Sequence, residues 1–352
     1  MSVKHEKPSS VVSGPASGRH GPSSKHARAG HGEHAHHATV AELAKRRFLF
    51  VTGKGGVGKT TVCGALAMAL AAHGKRVLVC MCNTKERLSA ILGTRPIPDE
   101  VVSVGHNIWA VNISPERALE EYGALVIKVR ALSNAVFENK YTKTFFRAVP
   151  GLYEWSMLGK AWFHTTETLG DGSPRFDIVL FDAPATGHGA DMLRVPKVIL
   201  DVVPPGVLRR DAETAWAMLQ DPVKSGVVIV TLPEEMPVTE TLELIETVRG
   251  ELRLPVLQLV INGVIPPLFT PEERVHLLAD PSLLEPGDRV ASDRVLVSGA
   301  RRAAREKVQS ESLSKLLAET DIPSIKLPFL FAESSTVEGT RLLASKLWPK
   351  RG

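Results

Sequence analysis

The 352-residue chain is 43% apolar and 23% charged, with a net charge of +5. A chain of that length and hydrophobicity folds around a substantial core as one large domain or two small ones, which excludes a wholly disordered or fibrous protein. The charge is no signature of nucleic-acid binding: residues 1–47 carry eight Lys/Arg against three Glu, the remainder balances at 35 basic and 35 acidic residues, and no nucleic-acid partner is expected.

Residues 1–46 form a basic tail with seven of the twelve histidines, many Ser, Gly and Pro, and almost no large apolar side chain before Val40. Such a segment cannot offset the entropy of folding, so it is expected to be disordered. HGEHAHH at 31–37 offers imidazoles to a transition metal, with a solvated low-complexity tail as the alternative. No apolar stretch of the signal-peptide kind follows the first basic residues, and no apolar run is long enough for a membrane span. The three cysteines, Cys63, Cys80 and Cys82, lie too close together for a disulfide framework. A cytoplasmic protein is expected.

From residue 47 onward, RFLFVT (47–52), RVLVCMC (76–82), FDIVLFD (176–182), GVVIVTL (226–232), PVLQLVING (255–263) and SIKLPF (324–329) read as buried strands rich in Val, Ile and Leu. Helix-period segments separate them, among them TTVCGALAMALAAHG (60–74) with Gly74 as its C-terminal cap. Alternation of this kind predicts an α/β doubly wound domain over 47–352, with a mostly parallel sheet covered on both faces. The interval between the second and third strands is far longer than a crossover needs. A helical insertion is expected over about 112–172, with a second part over about 190–222. This region holds four of the five tryptophans, Trp109, Trp155, Trp162 and Trp216, and its apolar helices are either core or an exposed groove for a partner or hydrophobic cargo.

FVTGKGGVGKTT (50–61) follows the first strand and opens the next helix. Gly53, Gly58, Lys59 and Thr60 complete the G-x-x-x-x-G-K-[ST] spacing of a P-loop, in which backbone amides cradle phosphates, the lysine reaches the β/γ oxygens and the hydroxyl meets Mg²⁺. A nucleotide is therefore expected along residues 53–61, with Gly55, Gly56, Val57 and Thr61 completing the cradle and the helix N-terminus adding a favourable field. The strand IVLFD ends in Asp182, where a carboxylate would stand near the Mg²⁺ and its waters, so Thr60 and Asp182 are the candidate metal residues. Lys54 is one lysine more than the pattern needs.

GKGGVGKTT with its early lysine, DAPATGH after the third strand, PGLYE (150–154), VTETLELIETV (238–248), LVINGV (259–264) and LPFLFAES (327–334) together resemble the ArsA family. That family includes arsenite-pump ATPases and ATPases that target tail-anchored membrane proteins. The resemblance spans about residues 47–352 and implies an ATPase that uses ATP and Mg²⁺ as a dimer. With a single phosphate loop in the chain, it implies a homodimer or a heterodimer with a paralogue, and a protein client or membrane partner served by the helical insertion. By the same resemblance Lys54 reaches across the dimer to the facing nucleotide, Asn262 reads adenine, and Pro328 with Phe329 closes over the base.

The sequence also departs from the family. Relatives carry D-P-A-H-x-L-S after the second strand, with an aspartate thought to activate the attacking water, whereas NTKERLSAIL (83–92) puts Asn83 at that position. An amide orients water without accepting its proton, so slow hydrolysis is expected, with Glu86 as a candidate substitute. No cysteine follows Cys82, which argues against a metalloid-binding thiol triad, and the C-x-C spacing puts Cys80 and Cys82 on one face of their strand. Three readings stand: an ATP-driven dimeric switch acting on a client, a ParA/MinD-like positioning ATPase, and a non-hydrolysing scaffold that pairs with an active paralogue.

Overall fold

The computed structural model describes residues 40–82, 86–126, 151–184, 189–285, 291–331 and 336–348. Its centre is an eight-stranded sheet in the order β3-β4-β2-β5-β1-β6-β7-β8. The strands are β1 (Phe48–Thr52), β2 (Val77–Met81), β3 (Val102–Gly105), β4 (Ile108–Asn112), β5 (Ile178–Asp182), β6 (Ser225–Thr231), β7 (Val256–Val264) and β8 (Ser324–Pro328). Each neighbouring pair is parallel except β3 and β4, which form an antiparallel hairpin at one edge. All six strands expected from the sequence are present. The hairpin is additional: it occupies the start of the long interval, where the chain turns through Asn107 at φ 58.

Side chains alternate across the sheet, as the period of a strand requires. In β1, Leu49 and Val51 enter one core layer, beneath α2 (Lys59–Ala72) and the C-terminal α11 (Val337–Leu347). Phe48 and Phe50 enter the layer on the opposite face, where the ring of Phe50 stacks on Phe181 at 5.1 Å. Every β1 residue is buried, which is why the strand is continuously apolar instead of alternating with polar residues. Helix α2 ends as expected: Gly74 adopts φ 79, and Lys75 donates its amide to Leu70 O, closing a Schellman turn.

Helix α1 (Val40–Leu43) lies on the tail side of the boundary expected at 46, with Val40 and Leu43 buried in the α2 layer. The packed chain therefore begins earlier than composition indicates, because these two apolar side chains suffice to anchor a turn; residues 1–39 and their histidines lie outside the described residues.

α3 (Leu88–Leu92) follows β2, and helices α4 (Pro115–Val126), α5 (Leu152–His164), α6 (Gly189–Val202) and α7 (Val207–Gln220) fall in the two intervals assigned to the insertion. They build a third core of Leu119, Leu152, Trp155, Val195, Ile199, Ala212 and Ala215. Trp155 is fully buried and meets the edge of Tyr122 at 87°. Helices α5 and α6 also touch the sheet, since Met157, Leu158, Met192 and Leu193 belong to the layer containing Phe181. Trp109 lies on β4, outside the insertion. After β6 come α8 (Glu235–Ile245), α9 (Pro271–Leu278) and α10 (Ala291–Glu319).

Candidate functional site

Register places the site. Val51, near the C-terminal end of β1, pairs with Asp182 at the end of β5, and on the other side β1 pairs with β6 through Thr52 and Ile229. β1 lies where the winding changes direction, the position at which open α/β sheets bind ligands beyond their strand ends. The loop 53–58 crosses this point on its way from β1 to α2.

Two glycines permit the loop's path. Gly53 has φ 147, and a Cβ there would lie 2.1 Å from Val230 O of β6; Gly58 has φ 90, and a Cβ would lie 2.4 Å from Asn262 Nδ2. No other residue fits either place without displacing backbone or Asn262. Gly55 and Gly56 form the exposed crest, Val57 is buried beneath it, and Thr61 follows in the first turn of α2. Gly58 is the N-cap of α2 and no side chain caps the helix, so its first amides are presented to whatever occupies the loop.

Lys59 is 6% exposed and donates from Nζ to Gly53 O at 3.0 Å and to Lys54 O at 2.9 Å. Burial holds its ammonium below the usual lysine range, with the charge of Asp182 opposing that effect. Thr60 Oγ1 donates to Asp182 Oδ2 at 2.6 Å. Burial pushes the Asp182 carboxyl up to about 6, against the Thr60 hydrogen bond and the charge of Lys59. The pair consists of hard oxygen donors, the kind that Mg²⁺ takes one or two at a time alongside phosphate oxygens and water. Among the described residues no group of three or more His, Cys, Asp or Glu could hold a metal ion.

Lys54 has a different partner. Its Nζ lies 3.4 Å from Glu240 Oε1 on α8. Asn262 Nδ2 donates to Val57 O at 2.9 Å, tying β7 to the underside of the loop. Pro328 ends β8 opposite Val264, and Phe329 donates its amide to Val264 O. The guanidinium of Arg305 on α10 lies 5.2 Å from the centre of the Phe329 ring. Beside these residues a cleft of about 320 Å³ is lined by Pro233, Glu234, Gly263, Ala304, Arg305, Val308 and Gln309. The sequence points to Asn262, Pro328 and Phe329 but not to Glu234 and Arg305, which carry no motif of their own.

Asn83 lies outside the described residues, as do Thr186 and His188 of DAPATGH. Glu86 accepts the Ser89 amide at 2.7 Å, a capping contact at the start of α3. Cys63, Cys80 and Cys82 are free, and burial raises all three thiols. Cys80 and Cys82 pack into the same core layer, while Cys63 lies across the sheet in the other. A second cleft, of about 280 Å³, opens between α4, α5 and α7 and is bounded by Tyr122, Trp155, Trp162 and Phe163. No described helix is long and apolar enough to cross a membrane.

A family model described as anion-transporting ATPase matches residues 46–204, a span that takes in the loop, Lys59, Thr60 and Asp182. The chain is similar to ATPase BagA of Mycobacterium tuberculosis, at 29% identity over 238 residues, covering 66% of this chain and 69% of that protein. An arsenical pump-driving ATPase of Escherichia coli is 29% identical over 241 residues, which are 62% of this chain but 40% of the pump ATPase. ATPase GET3 of Kluyveromyces lactis is 29% identical over 161 residues, 44% of this chain and 46% of that protein.

Proposed function

We propose that the chain is an ATPase of the ArsA family and that it works as a dimeric switch. ATP with Mg²⁺ binds along residues 53–61, and its binding and hydrolysis to ADP and phosphate open and close a groove among the insertion helices that acts on a protein client or membrane partner. The observation that carries this reading is the pairing of an uncapped α2 N-terminus and buried Lys59 with the Thr60–Asp182 hydrogen bond, all at the end of β1. Loop amides and Lys59 would hold the β and γ phosphates; binding requires Lys59 to exchange the carbonyls of Gly53 and Lys54 for phosphate oxygens, a stronger charge-assisted pairing. Thr60 and Asp182 would hold Mg²⁺, which supplies charge neutralisation along the triphosphate.

The cleft lined by Glu234 and Arg305 suits the nucleoside end, with Phe329 at its edge. The second cleft, between α4, α5 and α7, supports a client role for the insertion. Lys54 would act across the dimer, where its charge meets the transferring phosphoryl group of the facing subunit. Asn83 supports one second reading, a weakly hydrolysing subunit that pairs with an active paralogue.

The test of the central claim is Lys59→Ala. Titration with a fluorescent ATP analogue in Mg²⁺ is expected to show binding to the wild-type chain and a loss of at least about a hundredfold in the variant, in line with removing a buried charged hydrogen-bond partner. Unchanged affinity would remove the basis for placing the nucleotide at this loop.

A further inference from the structure

We infer that Glu240 is a positioning residue for Lys54: it holds the ammonium of the loop lysine within its own chain, and Lys54 must leave it when two subunits close over ATP. This inference rests on the reading of the loop 53–61 as the ATP site of a dimer. Lys54 Nζ and Glu240 Oε1 are 3.4 Å apart, with side chains 38% and 30% exposed, so the pair sits at the surface rather than inside the core. Its two ends are mechanically joined. Gly53 is wedged against Val230 O of β6, and α8, which carries Glu240, follows β6 after a short turn. Val238, Thr241 and Ile245 bury another face of α8 in the molecule, so the carboxylate is presented from a fixed helix.

The two loop lysines thus have different partners. Lys59 bonds neutral carbonyls and is buried, while Lys54 faces a carboxylate and is half open to solvent. That difference decides how each responds to phosphate. A half-exposed ion pair shifts an equilibrium by no more than about fivefold, so it holds the lysine without preventing a polyanion from drawing it away. A symmetric dimer releases two such pairs, so their effects on closure multiply. Glu240 therefore sets a threshold: closure needs the charge of the facing triphosphate to outcompete the carboxylate.

The experiment measures the ATP-dependent self-association constant of the full chain by analytical ultracentrifugation in Mg²⁺ and ATP, for wild type, Glu240→Gln, Lys54→Ala and the double variant. Glu240→Gln is isosteric and half exposed, and far-UV circular dichroism checks that it folds. It is expected to raise the association constant several-fold, up to about 25-fold for two released pairs. In the Lys54→Ala background, which is expected to bind ATP without closing, the same change is expected to restore no association, because Glu240 acts through that lysine. Equal gains in both backgrounds would mean that the carboxylate repels phosphate directly and would overturn the inference. So would a wild-type chain that dimerises with ATP but is indifferent to Glu240→Gln. A wild-type chain that binds ATP yet stays monomeric removes the dimer reading and the inference with it, and loss of the ATP site itself is read separately from Lys59→Ala.

Discussion

At the scale of single residues, Asn83 is the proposed limit on the rate of hydrolysis. An amide can orient a water but cannot take its proton, and general-base help is typically worth about 10²–10⁴-fold. Glu86, the next carboxylate along the chain, already accepts the Ser89 amide and is committed to starting α3. Asn83→Asp is therefore expected to raise the steady-state ATPase rate by about tenfold or more while leaving nucleotide affinity unchanged, since a group that acts only in the transition state moves kcat and not ground-state binding. A slower variant, or a wild-type rate that the change cannot improve, would show that another group activates the water. Residue identities at the loop were legible because each is tied to its neighbours by fixed spacing: Gly53, Gly58, Lys59 and Thr60 lie in one turn, and Asp182 ends an apolar run. Glu234, Glu240 and Arg305 were not legible, because their meaning arises only when the β6–α8 turn, α8 and α10 come to rest around the strand ends. Asn262 donates to Val57 O, a contact that a single sequence cannot show because the loop's carbonyl comes within reach only in the fold.

At the scale of elements, the strands were readable because burial on both faces erases alternation and leaves continuous Val, Ile and Leu runs. In the β3–β4 hairpin, Val102–Gly105 alternates between intermediate and exposed residues and carries no apolar run, whereas β4 does carry one, IWAV, with Ile108, Ala110 and Val111 buried, and only its short length kept it from being expected as a strand. The described part of the long interval contains α4 and α5, and what holds these helices together is a packing fact. Trp155 is fully buried at the centre of the third core, against Val195, Ile199 and Ala212 contributed by α6 and α7. Trp155→Ala removes that centre and is expected to cost about 3–5 kcal/mol. Because α5 and α6 are shared with the sheet layer through Met157, Leu158, Met192 and Leu193, the loss should appear in a single cooperative transition. Thermal melts followed by far-UV and near-UV circular dichroism are expected to coincide at a lowered Tm. Two separated transitions in the variant would show instead that the insertion unfolds on its own, and that its link to the sheet is weak.

At the scale of the whole molecule, the proposed switch needs parts that one chain cannot supply to itself. Lys54 is held towards Glu240 of its own chain, while Lys59 lies buried against the loop, so removing either lysine should disable a different half of the site. A Lys54→Ala subunit keeps its own cradle and should bind ATP without supporting closure or turnover; a Lys59→Ala subunit should fail to bind but still carry Lys54. Mixed in one dimer, the two are complementary. The cradle of the first meets the lysine of the second, so one composite site is complete and the other lacks both lysines. Up to about half of the wild-type rate per dimer is then expected from verified mixed dimers, as closed symmetric interfaces that share their sites require. The rate should appear only on mixing and rise with the fraction of mixed species, which differently tagged subunits and tandem purification can quantify. Silence from a purified mixed dimer would place Lys54 within its own site, where it would serve the same phosphate as Lys59, and coupling between subunits would have to run through the helices instead of through the nucleotide.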